Sequence, residues 1–146
     1  MKFPLIFMLT VFATAAWACP NLSGYYFACR PTTGQRPGLE DVSIIQSFQN
    51  RIPLYRLSAV NQETQEREEQ FVLADGRLYT QAHGNVLTQT SASCMGNVLV
   101  HNQTVYVNQQ LVSRLTTRAS KPGGILRLAT SGQVMGRSVT DNLICQ

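Results

Sequence analysis

Short stretches in which hydrophobic and polar residues alternate make up most of the chain. In the stretch from Asp41 to Gln49, Val42 and Ile44 fall on one face of an extended strand and Ser43 falls on the other. Alternation with a period of two is typical of a β-strand that has one buried and one solvated face. After residue 18, no stretch of about eleven or more residues follows the 3.6-residue period of a helix. The pattern therefore predicts an all-β protein.

Turn-forming residues separate these stretches at intervals of about ten residues. Asp75-Gly76 is the strongest hairpin prediction, because a tight type I′ turn requires positive φ angles and favours this pair. Ser131-Gly132 predicts another hairpin, and Pro122-Gly123-Gly124 predicts a break between strands. Tight turns join neighbouring strands in antiparallel order, and closing such a sheet into a barrel removes its exposed edges. We therefore predict an antiparallel up-and-down β-barrel of about 8–10 strands.

The first 18 residues have the features of a secretory signal peptide. The positive charge of Lys2 precedes an apolar stretch, and Ala16-Trp17-Ala18 matches the A-x-A pattern of a signal-peptidase site. The alternative is a transmembrane anchor, but residues 3–18 are shorter than the ~20 apolar residues that span a bilayer. We therefore predict a signal peptide over residues 1–18 and a single β-barrel domain, without a transmembrane span, over residues 19–146. The expected location is secreted or periplasmic.

Cys19 follows the predicted cleavage site directly, which raises the alternative of a lipoprotein. A lipoprotein site usually carries Leu three residues before the cysteine, and Ala16 occupies that position here. Trp17 is also bulky for such a site. We therefore expect no lipid on Cys19.

Four cysteines follow the predicted signal peptide: Cys19, Cys29, Cys94 and Cys145. An even number of cysteines in an exported protein predicts two disulfides. Three pairings are possible, and we expect Cys19–Cys29 together with Cys94–Cys145. The first pair requires a turn between its members, because ten residues of straight strand span about 33 Å and a disulfide cannot. The second pair would tie the C-terminus to the body of the domain.

Residues with catalytic or metal-binding potential are few. His83 and His101 each adjoin a predicted turn and could act as a base or bind a metal, but exposed loop positions explain them more simply. The sequence contains no C-x-x-C, G-x-S-x-G or H-E-x-x-H motif and no phosphate-binding or dinucleotide-binding glycine pattern. If both disulfides form, no thiol nucleophile remains. We therefore predict no catalytic residues, no metal and no cofactor.

The net charge is +4, and charged residues make up 14% of the chain, below the ~25% of an average globular protein. The positive excess lies in the C-terminal half, where predicted strands carry Arg114, Arg118, Arg127 and Arg137. If those strands adjoin, the arginines form a basic patch for an anionic partner; the alternative is ordinary solvation of the outer surface. The chain has no nucleic-acid recognition motif, and export separates it from most nucleic acid, so we predict no nucleic-acid partner.

The beginning of the predicted mature chain resembles a known opening. Leu22-Ser23-Gly24, followed by Tyr26, is similar to the Leu-Ser-Gly-x-aromatic start of calycin barrels, the group of the lipocalins and avidins. The resemblance implies that Gly24 begins the first strand. It also implies that Tyr26 replaces the aromatic residue, usually Trp, that closes the base of those barrels. The same opening resembles small exported bacterial proteins of unassigned function and periplasmic lysozyme inhibitors.

These features leave two hypotheses for the function. The first is a non-enzymatic exported binding protein for a small apolar or amphipathic ligand. Its barrel lining would include four aromatic residues: Tyr55, Phe71, Tyr79 and Tyr106. The same residues could instead fill a closed core. The second hypothesis is a protein-binding or inhibitory module of the cell envelope, similar to a lysozyme inhibitor, that uses loops or an exposed edge. An interior cavity of roughly 300 Å³ or more would favour the first.

Overall fold

The computed structural model describes residues 19–34 and 37–146, so the predicted signal peptide lies outside the described residues. Ten β-strands account for most of this part of the chain. They are β1 Gly24–Thr33, β2 Leu39–Gln49, β3 Ile52–Asn61, β4 Arg67–Leu73, β5 Tyr79–His83, β6 Val86–Met95, β7 Val98–Val107, β8 Gln110–Ser120, β9 Leu126–Val134 and β10 Arg137–Cys145. A 3-10 turn, Pro122–Gly124, separates β8 from β9. Within the described residues, no helix is long and apolar enough to cross a bilayer.

All ten strands belong to one antiparallel sheet, in the order β4-β3-β2-β1-β10-β9-β8-β7-β6-β5. Strands that follow one another in the chain are neighbours in this sheet, except β4 and β5, which form its two edges. The sheet curves into a half-barrel, so that β4 contacts β6 while a gap remains between the edges. The predicted all-β antiparallel fold with two disulfides is confirmed. The sheet is a half-barrel and not a closed barrel, because β4 and β5 do not pair across this gap.

Two-residue turns join several pairs of strands and fix their register. Both residues have positive φ in Asn50-Arg51, Asn108-Gln109 and Met135-Gly136, as a type I′ turn requires. Gly84 and Gly96 have positive φ at the first position of their turns, as in type II′. These turns twist in the same sense as the strands they connect, which favours the up-and-down order of the sheet.

The predicted hairpin at Ser131-Gly132 is wrong, because β9 continues through it and the turn lies at Met135-Gly136. Gly132 is required for close packing instead. A Cβ atom at Gly132 would lie 2.0 Å from the backbone oxygen of Arg114 on β8. Such a distance is far inside van der Waals contact, so glycine permits the close approach of these two strands.

The predicted hairpin at Asp75-Gly76 is also wrong, because β4 and β5 are not paired with each other. The Asp75 carboxylate accepts hydrogen bonds from the N–H of Arg77 and the hydroxyl of Tyr79. The N–H of Gly76 donates to the carbonyl oxygen of Ala92 on β6, at 2.7 Å. The bond from Gly76 attaches the connection to β6, so the connection does not bring the edges of β4 and β5 into register.

Both disulfides lie at the same end of the half-barrel, and their pairing differs from the expected one. Cys29 on β1 is directly opposite Cys145 on β10 and bonded to it, while Cys19 is bonded to Cys94 on β6. The expected pairs, Cys19–Cys29 and Cys94–Cys145, are wrong because β1 pairs with β10 at the register that places those two cysteines side by side. The bond to Cys94 also occupies the Cys19 sulfur that a lipid would require.

Residues 19–23, which we call the N-terminal plug, cross this end of the half-barrel. The hydroxyl of Tyr55 on β3 donates to the carbonyl oxygen of Pro20 at 2.7 Å. The ammonium of Lys121, which follows β8, donates to the carbonyl oxygen of Ser23 at 2.7 Å. Because β3 and β8 lie in different halves of the sheet, these bonds hold the plug across the base.

A cluster of buried apolar side chains, which we call the base core, packs above the plug. It includes Leu22, Tyr26, Ile44, Tyr55, Val72, Leu99, Leu126 and Leu143, together with three disulfide-bonded cysteines. The side chains come from the inner faces of strands all around the sheet and from the plug itself. The interior of the half-barrel is therefore filled at its base.

Candidate functional site

The inner face of the half-barrel changes from apolar to polar above the base core. A cleft of about 440 Å³ lies between β4 and the strands β7, β8 and β9. Its lining includes Glu68, Gln70, His101, Gln103, Leu115, Thr117 and Thr130. A hollow of about 680 Å³ adjoins it, shares Leu115 and Thr130, and is further lined by Val134, Arg137, Val139 and Asp141. We call the two together the interior cleft.

A row of polar residues on adjacent strands forms the floor of the interior cleft. His101 on β7 is opposite Thr117 on β8, which is opposite Thr130 on β9, which is opposite Asp141 on β10. Directly opposite residues of neighbouring strands share one face of a sheet, and Thr130 is buried, so this row faces the interior. The hydroxyls of Thr117 and Thr130 are 2.9 Å apart and hydrogen-bonded.

The next row towards the base is apolar on every strand. It consists of Leu99, Ala119, Leu128 and Leu143, in register on β7, β8, β9 and β10. The boundary between the filled base and the polar cleft therefore falls within two residues along each strand. A ligand in the cleft would rest on hydroxyl and imidazole groups, with the apolar core directly beneath them.

His101 is a titratable group at the β7 end of this row. It lies in the middle of β7, a continuous strand, so the expectation of an exposed loop position is wrong for this histidine. His83 is exposed at the end of β5, as expected. Burial lowers the pKa of His101 below its ordinary value of 6.5. Its imidazole is therefore neutral at pH 7, and a neutral imidazole can donate one hydrogen bond and accept another.

Asp141 is the last residue of the polar row, at its β10 end. The connection after β1 packs against it. A Cβ atom built on Gly34 would lie 1.7 Å from the Asp141 Oδ1 atom. Gly34 also has a φ of +90°, a conformation that favours glycine. The missing side chain at this position therefore lets the backbone approach the carboxylate.

The groups in the interior cleft are suited to hydrogen bonding. In the described parts of the chain, no three His, Cys, Asp or Glu side chains are grouped closely enough to hold a metal ion. All four cysteines are in disulfides, so none of them offers a thiol. What remains is a set of hydroxyls, amides, carboxylates and a neutral imidazole, beside aliphatic side chains. This set can orient a bound molecule.

The four aromatic residues of the ligand-lining prediction occupy three different places. Tyr55 is fully buried in the base core, and this burial raises its pKa to about 12. Tyr106 lines a separate hollow beside the turn between β7 and β8, with Leu87 and Asn108. Only Phe71 and Tyr79 come together, on opposite sides of the gap between β4 and β5.

The four arginines of the predicted basic patch lie in two places. Arg114 and Arg118 are exposed on the outer face of β8, and Arg127 lies on the adjacent β9, diagonally across from Arg118. Arg137 instead borders the interior cleft. Arg30, which the sequence did not indicate, joins the outer group, because it lies in the same row as Arg127 across β10.

Sequence reasoning missed the polar floor of the interior cleft. The alternation in β8 places Thr117 on the face of Leu115, away from Arg114 and Arg118, which was a signal that the threonine points inward. No match is found when the chain is compared with protein-family models, curated proteins and solved structures. The resemblance to calycin barrels therefore stays a prediction. The geometry of the interior cleft is the basis for a functional conclusion.

Proposed function

We propose that the protein is an exported binding protein that holds a small amphipathic ligand in the interior cleft. The observation that supports this function is the division of the interior into a filled base and an open upper half. Even the smaller part of the cleft, at about 440 Å³, falls in the range of roughly 300–1,000 Å³ that is typical of ligand sites. Two disulfides fit folding in an oxidising compartment, which supports a secreted or periplasmic location.

The chemistry of the lining favours an amphipathic ligand over a purely apolar one. Leu115, Val134 and Val139 offer aliphatic surface in the part nearest β10. Gln103 and Thr117 offer hydrogen-bonding groups in the part nearest β4. Ligand sites are commonly apolar with a few polar groups that fix orientation, and the interior cleft combines both kinds of surface.

The base of the half-barrel supports binding by holding the floor of the cleft in place. The sheet strands beneath it are linked by Cys29–Cys145, and the N-terminal plug is linked to β6 by Cys19–Cys94. A site whose walls are fixed before binding loses less conformational entropy when the ligand enters. The disulfide-linked base and the polar cleft therefore act as scaffold and site.

The test compares tryptophan substitutions at two adjacent residues of β8. Thr117 lines the interior cleft, while Thr116 faces outward, where its hydroxyl donates to the side-chain oxygen of Asn102 at 2.8 Å. The probe is 8-anilinonaphthalene-1-sulfonate, an amphipathic dye that becomes fluorescent in apolar surroundings. We expect Thr117→Trp to weaken dye binding about tenfold or more, because the indole fills the cleft, and Thr116→Trp to leave it unchanged.

Two controls make the result decisive. Near-ultraviolet circular dichroism must match the wild-type protein, because partly unfolded proteins also bind this dye. Native mass spectrometry of protein purified from its own cell envelope should detect a co-purifying small molecule that is lost in Thr117→Trp. Absence of dye binding in the wild type, or equal binding in both variants, would contradict the proposed function.

A further inference from the structure

The two edges of the half-barrel are unpaired within the described residues. β4 pairs only with β3, and β5 pairs only with β6. An edge strand presents a row of N–H and C=O groups that can pair with another extended chain. Ordinary β-proteins protect such edges, so a long exposed edge beside a cleft is a candidate docking surface.

Hydrogen bonding to β3 determines which backbone groups of β4 face the gap. The N–H of Ala74 donates to the carbonyl oxygen of Pro53 at 2.9 Å, directly after the end of β4. Hydrogen-bonded positions alternate along an antiparallel ladder, so Val72 is the next residue bonded to β3. Phe71 and Glu69 therefore direct their N–H and C=O groups into the gap.

Exposed aromatic side chains flank the same gap. Phe71 on β4 is 61% exposed and Tyr79 on β5 is 42% exposed, and both line a hollow of about 210 Å³. Other walls of this hollow are Val72 and Ala92, from the top of the base core. Apolar side chains of an added strand that lie on the face of Phe71 would find contacts here, next to the backbone groups that would bond the strand.

The charge of β4 indicates the chemistry of the partner. Glu68 lines the interior cleft and has no ion pair among the described residues, whereas Glu69 is paired with Arg56 and Arg67 with Asp41. The strand β5 carries no acidic or basic residue except His83 at its end. An added strand would therefore be favoured by a Lys or Arg side chain opposite Glu68.

A second copy of this chain fits the edge less well than a basic partner. If two β4 strands paired antiparallel about Gln70, Glu68 of each copy would lie opposite Val72 of the other, and Glu69 opposite Phe71. Neither copy would then provide a positive side chain opposite Glu68, whereas a basic segment would. Charge complementarity at Glu68 therefore favours a different protein as the occupant.

We propose that the edge of β4 binds an extended segment of a partner protein in which basic and apolar residues alternate. The segment adds to the half-barrel as an antiparallel strand, bonded to the backbone of Glu69 and Phe71. Its basic residues face Glu68 and the interior cleft, and its apolar residues contact Phe71. This interaction goes beyond the small-ligand function, because it uses the edge of the sheet and requires no ligand in the cleft.

The experiment uses a fluorescein-labelled seven-residue peptide that alternates Lys with Val, titrated with the full mature protein by fluorescence anisotropy. Hydrogen exchange should slow at the amides of Glu69 and Phe71 when the peptide is present, because these amides gain acceptors. The amide of Val72 should not change, since it is already bonded to β3. A peptide with Glu in place of Lys should bind at least about tenfold more weakly.

Two protein variants separate backbone bonding from charge. Phe71→Pro removes an N–H that faces the gap while sparing the bonds to β3, and Phe71→Ala is its control for the lost ring. Glu68→Lys reverses the charge. We expect Phe71→Pro to weaken the peptide about tenfold relative to Phe71→Ala, and Glu68→Lys to weaken it about tenfold relative to wild type. If Phe71→Pro fails to fold, a peptide N-methylated at alternate residues replaces it and should not bind.

The proposal is overturned by any of three results. One is the absence of peptide binding at about 1 mM, the weakest affinity of a specific contact. Another is binding that Glu68→Lys and backbone N-methylation leave unchanged. The last is protection from exchange at β5 or on the outer arginines instead of at Glu69 and Phe71.

Discussion

The base and the upper half of the half-barrel interior use the same strands for opposite purposes. At the base, Leu126 and Leu143 are buried completely or nearly so, and both disulfides lie among such side chains. Two to four residues away on these strands, Thr130 and Asp141 line an open cleft together with Thr117 on β8. The two regions therefore differ in side chains and in closure, but share one continuous sheet.

The difference indicates how stability and binding are divided in this protein. Burial of apolar surface is the main favourable contribution to folding, and it is concentrated in the base. The cleft contributes little apolar burial, so its side chains can vary with a smaller effect on folding. We expect substitutions at the base to change stability strongly, and substitutions in the cleft to change binding.

Removal of a disulfide at the base is expected to have the largest effect on stability. Cys29→Ser combined with Cys145→Ser opens a link between residues that are 116 positions apart. The entropy of so long a loop in the unfolded chain predicts a loss of about 5 kcal/mol in the free energy of unfolding. Urea denaturation followed by circular dichroism measures this loss.

The other disulfide provides the matched comparison. Cys19→Ser combined with Cys94→Ser removes a link across 75 positions, and the loop entropy changes only slowly with length. The two double variants should therefore be destabilised by similar amounts. A loss of less than about 1 kcal/mol in either variant would contradict the view that both bonds stabilise the base.

A pair of leucine substitutions sharpens the comparison between base and cleft. Leu143→Ala removes a side chain that is only 2% exposed, and a cavity in a closed core costs about 3 kcal/mol. Leu115→Ala removes a leucine that lines the open cleft, where solvent can occupy the space, so we expect a loss of less than about 1 kcal/mol. Equal losses in urea denaturation would mean that the cleft is as closed as the base.

The sequence predicted the division into strands better than it predicted how the sheet closes. Alternation and turn residues depend on neighbours in the chain, so they indicated the strands and the break at Pro122–Gly124. Closure depends on contacts between distant strands. Asp75-Gly76 had the best local hairpin pattern, yet the bond from Gly76 to Ala92 on β6 decided its geometry.

The disulfide pairing and the site were missed for the same physical reason. Cys29 meets Cys145 only because β1 pairs with β10, and no local pattern indicates that pairing. The position of His101 could have been inferred from the continuous alternation of β7, but its polar neighbours suggested a turn. The location of the binding site depends on which strands face each other across the interior. The alternation of residues within one strand does not contain this information.

A smaller effect is expected from the buried phenol at the base. Burial raises the pKa of Tyr55 from 10.0 to about 12, so its neutral form stabilises the folded state fully below pH 10. This stabilisation is lost as the pH rises from 10 to 12. Tyr55→Phe should lower stability at neutral pH by about 1 kcal/mol, because the carbonyl oxygen of Pro20 loses its donor.

The measurement for Tyr55 is the free energy of unfolding between pH 9 and pH 12. Tyr55→Phe should have a flatter dependence on pH than the wild type in this window. Tyr106→Phe, on a strand far from the plug, is the control and should follow the wild type. If both variants had the wild-type slope, the phenol would not be the group that senses alkaline pH.

The smallest expected effect lies in the cleft and involves His101. Burial lowers its pKa in the folded state, so the stability that the neutral imidazole contributes is fully present above pH 6.5 and is lost as the pH falls through the lowered value. His101→Gln should therefore reduce the loss of stability on acidification, and His83→Gln, which removes an exposed histidine, should not. A ligand that fills the cleft would remove more water from His101 and bind less tightly in acid. Titrating dye binding against pH in both variants separates the two histidines, and an acid response that persists in His101→Gln would place its origin outside the cleft.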